Sequence, residues 1–306
     1  MAAMTFAQAA NLAQDELVRG LIDSIVYVNP WYDLFPFDGI DGNGRTYNRI
    51  LAYGDVQAAG VGDTITAKNA TTVTPVTSAL TTIVGDSEVP GLIQATQSAQ
   101  NDQTGLQISV KAQVAGRTYQ NWLINGTGAN DQFLGLIGLC AATQKATTGG
   151  TGMNLSLEVI DEMCDMVVSK NGVVDYILMP ARTRRAFKIL LRALGGATIT
   201  ETIELPGGRK VMAYNGETPV FRNDYIPVNQ TKGGTVNCTT IFAGVFDDGS
   251  NKVGLQGLTA TNQFGLNVKD VGESETKDEH IWRVLWYCGL ALYSELGLAC
   301  ADGIRN

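Results

Sequence analysis

"NWLINGTGANDQFLGLIGL", residues 121–139, breaks an apolar run at Ile124 with Asn125, Gly126, Thr127, Gly128, Ala129, Asn130 and Asp131. It then resumes with Phe133, Leu134, Leu136, Ile137 and Leu139. Glycine and asparagine serve where φ turns positive or where a side chain bonds its own backbone, so the stretch is a built turn joining two apolar elements. Taken alone it is an ordinary helix stop, and its meaning depends on what lies on either side.

Upstream, residues from about 91 to 124 contain no proline and carry Leu106, Val110 and Val114 at intervals of four, then Trp122 and Leu123. This predicts one long helix, roughly 45 Å for about 30 residues, with Gly105 and Gly116 weakening its continuity. Thr46–Pro90 is poor in large apolar residues and rich in Thr, Ala, Gly and Val. The alternation around Thr64, Ile65 and Thr66, with a break at Gly60–Gly62, predicts a long β-ribbon. Such a ribbon is marginal by itself and needs another surface to pack on. Nearer the N-terminus, Leu17, Leu21 and Ile25 form one stripe of a helix over Asp15–Val28, stopped by Asn29 and Pro30. Between helix and ribbon, "WYDLFPFDGIDGNGRTYNRI", residues 31–50, predicts an extended aromatic arm that wants a neighbour. Arm and ribbon are both expected to lack a home within one chain.

Downstream the pattern is α/β. Asn154 is placed to cap a helix with Ile160, Met163 and Val167 inward and Gly172 as its stop. "VVDYILMP", residues 173–180, is a strand buried on both faces. "ARTRRAFKILLRALGG", residues 181–196, gives a second helix with Phe187, Leu190, Leu191 and Leu194 inward. A hairpin and an extended strand follow, with turns at Pro206–Gly208 and Asn215–Gly216. "TTIFAGVF", residues 239–246, is a further strand. Two or three long strands close the sequence and are expected to form the sheet under the long helix.

Chemistry is sparse. The 306 residues are 44% hydrophobic and 17% charged, which suits a globular protein with a substantial core. A net charge of -8 argues against a surface that reads nucleic acid. The local basic group Arg182, Arg184, Arg185, Lys188 and Arg192 reads as the solvated face of one helix. No apolar run approaches the roughly 20 residues of a membrane span, and the N-terminal stretch lacks the basic start and apolar core of a secretion signal. The expected setting is therefore soluble and cytoplasmic. Five widely spaced cysteines, Cys140, Cys164, Cys238, Cys288 and Cys300, with no CxxC pair, read as reduced core residues. His280 is the single histidine, at the start of an apolar strand. There is no GxSxG elbow, phosphate loop, dinucleotide GxGxxG or HExxH. Asp38–Gly44 resembles a calcium loop only faintly, because position twelve counted from Asp41 is Ala52. Glu273, Glu275, Asp278 and Glu279, with Lys277 among them, read as a solvated loop. No catalytic residue, cofactor or metal is expected, and an α/β hydrolytic or binding enzyme is the competing class.

In order, these parts resemble the major capsid proteins of tailed bacteriophages, whose Hong Kong 97 fold is shared with encapsulin shells and herpesvirus capsid floors. "DELVRGLIDSIVYVNPWYDLFPF" followed by "GNGRTYNR" is similar to that family's arm and extended loop. The long helix with "LINGTGANDQFLGLIGL" resembles its spine helix and the glycine-rich loop after it. "VVDYILMPARTRRAFKILL", "GETPVFRNDYIP" and "IFAGVFDDG" resemble the succession in its axial domain. The resemblance implies an α+β Hong Kong 97-like capsid fold. Its parts would be an N-terminal arm at 1–45, an extended β-hairpin loop at 46–90, a peripheral domain with spine helix at 91–127 and 265–306, and an axial domain at 128–264. It further implies a structural protein that self-assembles as pentamers and hexamers into an icosahedral virion shell built in the host cytoplasm. That shell would enclose double-stranded DNA without sequence-specific binding, with scaffolding, portal and possible decoration proteins as further partners and no membrane. Asn125, Gly126, Gly128, Phe133, Gly135, Leu136, Trp31, Phe35 and Phe37 are the assembly candidates. Some members crosslink a loop Lys to a strand Asn near a Glu. Lys68 fits the first part, but Trp282–Tyr293 has neither Asn nor acid, so no crosslink is expected. The chain begins almost directly with the arm helix, so scaffolding is expected to be a separate protein. An encapsulin-type compartment is the nearest alternative.

Overall fold

The computed structural model describes residues 30–92, 95, 103–168, 173–193, 202–205, 208, 210–250 and 252–305. The helix expected over Asp15–Val28 and the stops expected at Gly172 and at Gly195–Gly196 lie outside these residues. In chain order come a 3-10 turn at Pro30–Asp33, β1 (Phe37–Ile40), β2 (Gly44–Ala52), β3 (Thr72–Ala79) and β4 (Thr81–Pro90). Helix α1 (Gln103–Asn125) and the short α2 (Leu136–Leu139) precede β5 (Met153–Asn154), α3 (Leu157–Val168), β6 (Tyr176–Met179) and α4 (Ala181–Ala193). Then follow β7 (Thr202–Glu204), β8 (Lys210–Tyr214), β9 (Thr218–Arg222), β10 (Gln230–Lys232) and β11 (Thr235–Gly244). The chain closes with β12 (Leu255–Ala260), β13 (Leu266–Glu273), β14 (Glu279–Leu292) and β15 (Leu298–Arg305).

Three sheets result. β2 and β3 pair alone as an antiparallel ribbon. A five-stranded sheet is built on β14: β4 runs along one edge, β13 and β12 share the other, and β1 adds outside β12 in parallel. Eight strands form the other large sheet, in the order β5-β15-β11-β6-β9-β8-β7 with β10 against β11. Strand periodicity sends alternate residues of this sheet to opposite faces. Ile177, Met179, Val220, Ile241, Ala243, Ala299 and Ala301 meet Ile160, Met163, Val167, Phe187 and Leu191 of α3 and α4. Tyr176, Leu178, Phe221, Phe242, Leu298 and Cys300 face the other way, into a core shared with α1 and the five-stranded sheet. Burial on both faces explains the unbroken apolar run of β6.

Several expectations are revised by this arrangement. The ribbon is shorter than 46–90, because Thr81–Pro90 leaves it and pairs with Glu279–Cys288. Ile83, Ser87 and Val89 then face inward, while Val84 and Glu88 face outward. The buried stripe of α1 is Ile108, Ala112, Ala115, Tyr119 and Leu123, whereas Val110 and Val114 are exposed. Small alanines let the helix lie close to the sheet, so the bulkier valines occupy its outer flank. Ser156, not Asn154, caps α3 by accepting from the Val159 N–H at 3.4 Å. Asn154 is instead in β5, paired with Arg305. The last strand also departs from the expected peripheral placement: β15 lies in the eight-stranded sheet beside β11, while β12 lies in the five-stranded one. Asn215 (φ 51°) and Gly216 (φ 74°) are the central residues of the turn between β8 and β9, closed by the Glu217 N–H donating to the Tyr214 carbonyl at 3.2 Å, and are the positive-φ pair that an Asn-Gly turn requires.

One cross-strand pair makes the five-stranded sheet sensitive to acid. Arg283 donates from Nε and Nη2 to the two Asp86 oxygens, each at 2.7 Å, on directly opposed residues of β14 and β4. These hydrogen bonds hold the Asp86 carboxyl below its ordinary pKa. A group depressed in the folded state adds stability above its unfolded pKa, about 3.9, and loses it as pH falls through the folded value. The pair is half exposed, so its contribution is modest. Asp86→Asn is expected to lower the thermal midpoint slightly at pH 7 and to flatten the midpoint's fall below about pH 4; midpoints of both proteins across that range check this.

Candidate functional site

The loop between α1 and α2 is closed by its own backbone. The Gly126 N–H donates to the Trp122 carbonyl at 2.8 Å and the Gly135 N–H to the Gly126 carbonyl at 2.9 Å. The Leu139 N–H then donates to the Gly135 carbonyl at 2.9 Å, starting α2. The two ends are so close that a methyl group at Gly126 would lie 2.2 Å from the Phe133 carbonyl oxygen and 2.5 Å from that of Trp122. One at Gly135 would meet the Trp122 and Ile124 oxygens at 2.6 and 2.7 Å. Gly128 (φ 71°), Asn130 (φ 53°) and Asp131 (φ 58°) carry the reversal at the tip, which is exposed from Thr127 to Asp131. Phe133 and Leu136 are buried beneath it, Phe133 against the Tyr119 and Trp122 rings at 5.5 and 6.0 Å. Asn125 donates from Nδ2 to the Tyr225 carbonyl at 2.9 Å, tying the end of α1 to the segment after β9. Asn125, Gly126, Gly128, Phe133, Gly135 and Leu136 thus form one rigid unit with an outward tip.

The aromatic candidates sit elsewhere and face inward. Trp31 is 1% exposed, stacked on Phe35 at 4.6 Å and edge-on to Tyr176 of β6 at 5.5 Å. Phe35 meets Phe37 at 5.1 Å, and Phe37 meets Tyr119 and Trp286 at 5.8 and 6.2 Å. The expectation that Trp31, Phe35 and Phe37 reach for a neighbouring subunit is therefore corrected. Their rings are taken up by the chain's own core, and β1 adds to its own sheet. Burial also raises the Tyr32 and Tyr119 hydroxyls well above the ordinary tyrosine pKa.

The ribbon is the part left without a home. Its root is clamped: Arg45 bonds Asp38 at 2.7 Å and the Tyr293 hydroxyl at 2.8 Å, the Tyr47 hydroxyl donates to the Leu292 carbonyl at 2.9 Å, and Arg49 reaches Glu295 at 2.7 Å. Sequence reading missed these anchors, although Arg45, Tyr47 and Arg49 alternate at the period that puts them on one strand face. Beyond the root, the Gln57 side chain accepts from the Thr66 and Ala67 N–H groups at 2.8 Å each and donates to the Thr64 carbonyl at 3.2 Å. This ordered tip holds Tyr53 (81% exposed), Val56 (96%) and Ile65 (60%) in the open.

Titratable groups offer little chemistry here. Cys140, Cys238, Cys288 and Cys300 are buried and Cys164 half-buried, all as free thiols. Burial pushes Cys164 and Cys288 up to about 12. Cys140 is raised by its hydrogen bond with Cys300 and by burial. His280 lies beside Asp270, Nε2 to carboxylate 2.7 Å, near the hairpin end that joins β13 to β14. Among the described residues no cluster of His, Cys, Asp and Glu is arranged to hold a metal, and no helix is long and apolar enough to cross a membrane.

Comparison with known proteins agrees with this architecture. The chain is similar to the holo-SrpI encapsulin complex from Synechococcus elongatus PCC 7942, with TM-score 0.70 and 18% identity over 90% of this chain and 87% of that one. It is also similar to a chain of Microbacterium phage Oxtober96, with TM-score 0.61 and 15% identity over 90% of each. The capsid of Myoviridae Phage XM1 gives TM-score 0.58 and 17% identity over 86% of each. These likenesses establish the Hong Kong 97 type of capsid fold. No curated protein matches the sequence. The family described as SU10 major capsid protein matches residues 13–227, most of the chain, so the chain belongs to that family.

Proposed function

We propose that this major capsid protein of a tailed phage works by lending its ribbon to other copies of itself, assembling as pentamers and hexamers into an icosahedral shell around double-stranded DNA. The observation that carries the reading is the ribbon. A structured element with a clamped root and apolar residues held in water is unfavourable in a lone molecule and favourable where another copy covers it. The glycine-closed loop at the end of α1, with its exposed tip, is proposed as a second contact. In this reading the axial part comprises β5 to β11 with β15, and the peripheral part α1, β1, β4 and β12 to β14. The acidic chain leaves packaged DNA free to slide, since phosphate binding needs clustered cations. Scaffolding, portal and decoration proteins are proposed partners and the host cytoplasm the place of assembly. The family's role is structural, and no catalytic step is assigned.

The test is excision of the tip. Asp55 and Asn69 are joined across the ribbon by a 3.3 Å backbone hydrogen bond, so residues 56–68 can be replaced by a short Gly-Ser link. The unfolding free energy of the isolated subunit is expected to change by less than about 0.5 kcal/mol, as for surface changes generally. Shells in negative-stain images are expected to vanish. Shells as abundant as those of the parent chain would overturn the reading. Nuclease-protected DNA inside the parent shells distinguishes a capsid from an enzyme-filled compartment.

A further inference from the structure

We propose that the acidic face of α3 and the basic face of α4 are the two halves of one contact between neighbouring copies of this chain. The inference rests on the shell reading above and names a contact within it. Helix α3 carries Glu158, Asp161, Glu162 and Asp165, which with Met166 line a shallow hollow of about 540 Å³. Helix α4 turns Arg185, Lys188 and Arg192 outward, all exposed. Like charges three or four residues apart destabilise an isolated helix. Cations in the first turn, here Arg182 and Arg184, oppose the helix dipole, and no acid accompanies them there. Glu158, Asp165, Arg185, Lys188 and Arg192 have no ion-pair partner among the described residues. Asp161 accepts from the Tyr214 hydroxyl and Glu162 from Thr147, so the unpaired charge rests on Glu158 and Asp165 of α3 and on Arg185, Lys188 and Arg192 of α4, a local conflict that a partner of opposite sign would resolve.

The fold sets these blocks side by side. Both helices lie on the same face of the eight-stranded sheet, α3 over β11 and β15, α4 toward β8 through Phe187 and Tyr214 at 5.8 Å. Along that layer the signs run negative then positive. Copies placed next to one another in the same orientation would meet acid against base at every junction, a head-to-tail contact of the kind that closes rings. Charge matching of this sort selects the register of approach as well as the partner.

Charge exchange tests the contact. Arg185→Glu with Lys188→Glu, and separately Glu158→Lys with Asp165→Lys, are each expected to reduce shell yield by about ten-fold or more at equal subunit concentration. All four substitutions in one chain recreate the opposite pairing and are expected to restore shells. Unfolding midpoints of the variants, compared with the parent, show that each is folded. Unchanged yields in the paired variants would overturn the contact, as would failure of the four-fold variant to assemble despite a parental midpoint. Normal shells lacking only nucleic acid in the basic-face variant would also overturn it, assigning α4 to a polyanion. Absence of shells from the parent chain would instead remove the reading on which the contact rests.

Discussion

Alanine at Gly126 is expected to cost the unassembled subunit about 3 kcal/mol or more, at the upper end of what overpacking does. The reason is the identity of the atoms a methyl would meet. They are the Phe133 and Trp122 carbonyl oxygens, at 2.2 and 2.5 Å, both on the backbone and both within the closed loop. A flexible side chain could swing aside, but both are backbone atoms of the closed loop, and the Trp122 oxygen cannot move without breaking the bond it accepts from the Gly126 N–H. Gly150 is the control, because nothing lies within 4 Å of its added methyl. Gly150→Ala should stay within about 0.5 kcal/mol of the parent. Urea unfolding of the dissociated subunits compares the two, and equal midpoints would show that the loop is not the rigid unit described.

Trp31→Ala is expected to have the second large effect, a loss of about 4 kcal/mol in the same assay, as for other buried aromatics cut to alanine. Trp31 touches both halves of the core at once. Its ring meets Tyr176 of the eight-stranded sheet and, through Phe35 and Phe37, is linked to Trp286 of the five-stranded one. Trp31→Phe should recover much of the loss, since a phenyl ring fills most of the space. If Trp31→Ala spared the isolated subunit and harmed only assembly, the inward placement of the arm would be wrong.

The sequence was most readable where backbone chemistry is local. The turn after Ile124, the Asn215–Gly216 hairpin and the stripe Ile160, Met163, Val167 all follow from residues a few positions apart. It was least readable where a pattern reports burial without naming the partner. Trp31, Phe35 and Phe37 announce a buried arm but are equally consistent with burial on another copy. The same limit hid the register of α1, because Ala112 and Ala115 look unremarkable until a sheet is pressed against them. It also hid the crossing of β15, whose apolar run suits either sheet and whose partner β11 lies more than fifty residues earlier. Of the candidate residues, those of the loop lie in one closed turn, while the charged anchors of the ribbon were overlooked because their partners, Tyr293 and Glu295, are remote in sequence.

The position of β15 bears on the order in which the eight-stranded sheet can close. It lies between β5 and β11, so β5 has no neighbour and β11 keeps an open edge until residues 298–305 have been made. Strands made earlier must wait with an open seam, and long-range pairing of this kind closes slowly. Closure of that edge is therefore expected to come late in the subunit's synthesis.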